Sequence, residues 1–173
     1  MSPEEVRLRS LYLFLASSRV VEQFKDRLAA TFPDSPLTAK LVLEKSLRKE
    51  IGMLCRYWIA RQIWDRLDAH ESDAKQLNLA LLRLFTDGFK LPKDGSGLRY
   101  AELSTPAEEA QELSRRITAS LGMEHLPLLA ALHAGILSYR DLIMKHTSQA
   151  LELPLGEVAE QAKAWAREPE GKA

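Results

Sequence analysis

Lys45, Arg48, Lys49, Arg56 and Arg66 recur along one stretch of chain at spacings that place them within about 100° of one another on a helical wheel. A row of fixed cations one or two turns apart can follow a phosphate backbone, with affinity that falls steeply as salt rises, or it can face an acidic protein surface. The chain as a whole carries no net charge, with 24 Lys and Arg against 24 Asp and Glu. Placement therefore matters more than the total. Residues 38–66 hold seven basic and three acidic side chains, whereas residues 101–173 hold eleven acidic and seven basic. A domain devoted to nucleic acid is usually basic throughout. An interaction protein with one basic ridge, docking on nucleic acid or on an acidic partner, including the acidic half of a second copy, suits this balance. Tyr57, Trp58 and Trp64 interleave with the cations and have the chemistry to stack on bases. Trp58 falls among leucines on the wheel, however, which assigns it to the core.

A second constellation lies at Arg140-Asp141-Leu142-Ile143-Met144-Lys145-His146. An arginine, a polar neighbour and a histidine six residues on resemble the signature of the HEPN ribonucleases, a helical family. The resemblance rests on seven residues. It implies metal-independent, toxin-type RNA cleavage, with two subunits paired so that Arg140 and His146 converge on a phosphate. His146 would move the proton and Arg140 would stabilise the phosphoryl charge. The same region has a rival pattern: Leu128 to Gly135, Leu137 to Leu142 and Leu153 to Val158 are similar to the first three helices of a winged helix. There the recognition helix leads with Glu157 and Glu160 before Lys163, and phosphate repels an acidic leading edge. That pattern implies protein contact rather than base reading.

Other reactive residues are dispersed. His125 and His133 are eight residues apart instead of the four that would stack them on one helix face, and HExxH is absent. The single cysteine, Cys55, permits no internal disulfide, and its place beside a leucine-rich face makes it a buried thiol. Gly95 and Gly97 near Lys93 do not match the phosphate-binding loop, which also needs a helix start behind it. No cofactor or metal is expected from these spacings, and a non-enzymatic role is the leading expectation. No stretch reaches the ~18 apolar residues of a membrane span, so a cytoplasmic location without membrane contact is the default expectation.

The elements that must carry these residues are helices. Ser2-Pro3-Glu4-Glu5 and Thr105-Pro106-Ala107-Glu108 each set a capping residue before proline at the first helical position, with glutamate three residues after the cap. The first helix runs from Pro3 towards Phe32, with Ser17-Ser18 as its weakest point. A second, begun near Pro36 and free of proline to about Leu67, would be roughly 45 Å long. Its face of Leu43, Leu47, Ile51, Leu54 and Trp58 points to the core. Ser72 is expected to cap a third helix that stops near Asp87-Gly88. Residues 88–103, glycine-rich in the middle, read as a loop or small β-hairpin. Gly135 is expected to end one helix, with Ser138 capping the next, and a last helix runs from Pro154 to about Arg167.

These readings give an all-α chain of five to seven helices in a bundle around one long central helix, residues 36–67. Residues 1–173 form a single domain, with a sub-boundary near residue 104 and a winged-helix-like appendage over 123–168 as its finer divisions. The expected function is that of a helical adaptor or small subunit of a larger assembly, as a homo-oligomer or with a protein partner. The basic ridge is its contact surface.

Overall fold

The computed structural model describes residues 1–34, 46–93, 96–121 and 126–168. Six α-helices are present: α1 (Pro3–Thr31), α2 (Ser46–Arg66), α3 (Glu71–Phe89), α4 (Pro106–Leu121), α5 (Leu126–Glu152) and α6 (Leu155–Ala166). A 3-10 helix, Ser96–Glu102, precedes α4, and no strand occurs among the described residues. Both expected caps form. Ser2 Oγ accepts from Glu5 N at 3.1 Å, and Thr105 Oγ1 accepts from Glu108 N at 3.2 Å. Glu108 Oε2 answers by accepting from Ser104 N at 3.1 Å, which satisfies a second orphan amide.

The helices close into one core by surrounding α1, which packs on α2, α3, α5 and α6. Its Tyr12, Leu13, Val20, Val21, Phe24 and Leu28 are all buried. Enclosure on several sides explains why Ser17-Ser18 does not break the helix: tertiary packing overrides a weak local propensity. α1, with 29 residues, is the longest described helix, and α2 shares the centre with it. The expected start of α2 at Pro36, Leu43 and Lys45 lie outside the described residues. Leu47, Ile51, Leu54 and Trp58 are buried as their spacing requires, and α2 also carries α4 and the 3-10 helix on the side away from α1.

Two glycines that read as helix terminators are packing sites instead. A Cβ on Gly135 would lie 2.9 Å from the Phe24 ring, and one on Gly88 would lie 2.2 Å from Phe14 Cζ. Helix α5 therefore continues through Gly135, because the missing side chain admits a phenylalanine of α1. That removes the expected break, and with it the three-helix division of 123–168 that a winged helix needs. Helix α3 likewise passes Gly88 and ends at Phe89, where Lys90 takes the left-handed conformation at φ 54°. Placing a non-glycine residue there costs roughly 1 kcal/mol. The start of α3 differs too, since His70 occupies the cap without a side-chain hydrogen bond and Ser72 lies inside the helix.

Of the loop and hairpin readings of 88–103, the described residues carry the one without strands: α3 runs on to Phe89, residues 91–93 are irregular and Ser96–Glu102 is the 3-10 helix. Phe89, Leu91, Tyr100 and Leu103 are each buried. Four separate anchors into the helical layer secure this segment more firmly than a two-stranded ladder, which is marginal by itself.

Candidate interaction face

Helix α2 has two flanks, and its charged residues divide between them. Arg48 and Arg66, eighteen residues or about five turns apart, lie on the same line of the wheel. Both are ion-paired within the molecule. Arg48 Nη1 sits 3.1 Å from Glu22 Oε1 of α1, and its guanidinium lies 4.7 Å from the centre of the Phe89 ring. Arg66 Nη1 is 2.7 Å from Glu152 Oε1, with Nη2 donating to Ser148 Oγ at 2.9 Å. These two arginines fasten α2 to α1, α3 and α5. Arg48 is largely covered by this pairing, whereas Arg66 keeps half of its side chain exposed in a surface pair.

Lys49 and Arg56 differ. They lie about 20° apart on the wheel, half-buried, and neither has an ion pair among the described residues. Partial burial pulls the Arg56 guanidinium down from its ordinary pKa, and no hydrogen bond to a described residue offsets that desolvation. Further unpaired cations lie close in sequence: Arg83 on α3, and Lys90 and Lys93 just after it.

Exposed large apolar side chains are spread over several elements, with Leu98 of the 3-10 helix at 63% and Leu137 of α5 at 57% among them. Trp64 of α2 is 40% exposed, and Leu79 and Leu82 of α3 are 56% and 38% exposed. The two helices are joined by the short turn at residues 67–70 and run antiparallel, with Phe89 beside Gly52 fixing their register. On α2 the line through Lys49, Arg56 and Ala60 also holds Met53, which is buried, whereas Leu79 and Leu82 of α3 are exposed. Local pattern alone does not single out Leu79 and Leu82 as the exposed leucines of α3. Leucines at 77, 79, 81, 82 and 84 are too many for one face, and Leu79 projects about 160° from Leu77 and Leu81. That count was the available signal.

The other flank of α2 closes over a buried polar cluster. Trp58 Nε1 donates to Glu109 Oε2 at 2.8 Å, which confirms its place in the core. Tyr57 Oη donates to Leu103 O at 3.1 Å and accepts from Arg61 Nη1 at 3.0 Å. Glu112 accepts from Arg115 at 2.5 Å and from Arg116 at 3.1 Å, and Arg116 Nη1 is 3.8 Å from Glu50 Oε2. Burial pushes the Glu50 carboxyl up despite Arg116, while Arg115 beside Glu112 holds that carboxyl down. Tyr100 Oη is buried without a hydrogen bond, and burial with Glu50 nearby raises its pKa.

Arg140 belongs to this cluster, with its Nε 3.7 Å from Glu109 Oε2. His146 does not. Six helical residues turn through about 120° net, and His146 faces Tyr12 of α1 and Trp165 of α6, at ring-centre distances of 6.4 and 5.8 Å. Within one chain the two side chains of the ribonuclease-like signature thus look to different neighbours. Cys55 is fully buried and its thiol is pushed up to about 12 by burial, so it is not a nucleophile at neutral pH. Among the described residues no group of three or more His, Cys, Asp or Glu is placed to hold a metal ion. A groove of about 240 Å³ between α1 and α5, lined by Phe24, Arg27, Leu28, Ala131, Gly135 and Tyr139, has one charged side chain and no acid/base pair. Among the described residues no helix is long and apolar enough to cross a membrane. No protein-family model, no curated protein and no solved structure matches the chain.

Proposed function

We propose that the chain is a non-catalytic interaction subunit that binds an acidic segment of a partner protein along the outer face of α2 and α3. The observation that carries this reading is Arg56. A half-buried guanidinium with no anion or acceptor among the described residues is an uncompensated cost to the isolated chain, and a carboxylate from outside would remove it. Lys49 and Arg83 add positive charge, and Leu79, Leu82 and Trp64 offer the apolar contact that distinguishes a protein site from a phosphate track. A nucleic-acid strand is the weaker occupant. Arg48 of the sequence ridge is already paired and largely covered, which interrupts the row of phosphate contacts that such binding needs.

The test is recovery of the partner bound to the tagged chain in its native cell, with and without nuclease. The partner is expected to survive nuclease, to dissociate at raised salt, and to drop about tenfold in affinity for Arg56→Glu, a loss of about 1.4 kcal/mol. Leu79→Ser should act in the same direction, while Lys163→Glu on α6 should not. Release by nuclease would reassign the face to nucleic acid, and full retention by both α2–α3 variants would end the proposal.

A further inference from the structure

The C-terminal helix α6 packs chiefly on one helix, α1. Twelve residues long, it starts after Pro154 with no side-chain cap, and its fully buried residues are only Val158 and Ala162. The rest of its hold is a cluster of rings at its far end. Trp165 packs on Tyr12 of α1 at 4.9 Å and edge-on to His146 of α5 at 5.8 Å. Arg19 lies 5.4 Å from the centre of the Trp165 ring and is ion-paired to Glu168 just beyond the helix. One titratable group thus sits inside the joint. His146 Nδ1 is buried and has no hydrogen-bond partner.

We infer that α6 is an acid-released latch, with His146 as the group whose protonation frees it. A proton on the imidazole would add a positive charge and a donor to a site built from two aromatic rings. The groups that face the ring are Lys145 and Gln149 from α5, Tyr12 and Arg19 from α1, and Trp165 from α6. Two of these are cations, and Gln149 is the one neighbour that favours the charged form. Glu168, just beyond α6, is already engaged by Arg19. Burial, with Lys145 and Arg19 adding to it, holds the docked His146 below its ordinary value of 6.5.

The direction follows from linkage. The docked form binds fewer protons than the released form between the docked pKa and 6.5, so docking is unweakened above 6.5 and is progressively lost as pH falls through the docked pKa. Each unit of depression is worth about tenfold in the docking equilibrium. Release would uncover Tyr12 and Trp165, an aromatic surface on the opposite side of α1 from α2, and so the device is independent of the partner face proposed above.

Amide hydrogen exchange on the intact chain, corrected for intrinsic rates, tests the latch between about pH 7.5 and pH 5.5, the range in which histidine titrates. Protection of residues 155–166 is expected to fall, by at most about tenfold, at the lower pH while α2 stays protected. His146→Phe, which keeps a ring that cannot titrate, should hold α6 protected at both. An equal loss in that variant, or no loss in the wild type, overturns the inference. Should His146→Phe fail to fold, the ring's own titration by NMR decides: a pKa at or above 6.5 sinks the latch, and one below it supports it.

Discussion

The two flanks of α2 are built from the same residue types and put them to opposite uses. Towards α4, charged groups are buried and answer one another: Glu109 takes the Trp58 indole and neighbours Arg140, and Glu112 holds Arg115 and Arg116. On the other flank Lys49 and Arg56 are half-buried and unanswered among the described residues. The difference teaches that a cation in a sequence has no fixed meaning. What decides between structural clamp and contact surface is whether a carboxylate is brought within reach by a separate element. Arg48 and Arg56 are eight residues apart, and Glu22 of α1 reaches only the first.

The comparison can be broken most forcefully on the buried flank. Glu109→Ala leaves the Trp58 indole and Arg140 without their shared partner, and a loss of about 3–5 kcal/mol in denaturant unfolding is expected. A loss below about 1 kcal/mol would mean that this cluster is no more structural than a surface pair. Next in size is Gly88→Ala, which drives a methyl into Phe14 and should cost about 1–3 kcal/mol, measured in the same way.

Glu50→Gln sharpens the contrast through pH. The folded state holds Glu50 above the ordinary 4.5, so the wild type binds that proton more tightly when folded. This contribution to stability is fully present below 4.5 and is lost as pH rises through the folded pKa. The glutamine variant is therefore expected to gain on the wild type at pH 7, with the gain shrinking as pH falls towards 4.5. A difference that stays constant over that range would contradict the burial argument. Smallest is Leu79→Ser on the open flank, where unfolding stability should change by no more than about 0.5 kcal/mol even as partner affinity falls. Stability losses of core size there would show that Leu79 is structural.

Much of the fold is legible in the residues themselves. The caps at Ser2 and Thr105, the inward leucines of α2 and the inert Cys55 follow from local rules, because each depends on neighbours a few positions away. The misreadings share one cause. Gly88 and Gly135 look like terminators to any local rule, yet each is a gap filled by a phenylalanine of α1 far away in sequence. The segment 88–103 alternates like a hairpin, but its apolar residues have helices beneath them to anchor into.

The candidate face was legible only in part. Lys49 and Arg56 belong to the cationic row that spacing picks out, whereas Leu79 had to be inferred from a surplus of leucines, and the pairing of Arg48 with Glu22 has no sequence signal at all. By itself the sequence determined that this chain is helical, where α1, α4 and α6 start and which face of α2 is greasy, since backbone propensity and a 3.6-residue period are local properties. Only the tertiary structure decided which charges are neutralised, which glycines admit a ring and where His146 looks. Those outcomes depend on through-space distances of a few ångströms between residues that the chain separates by tens of positions.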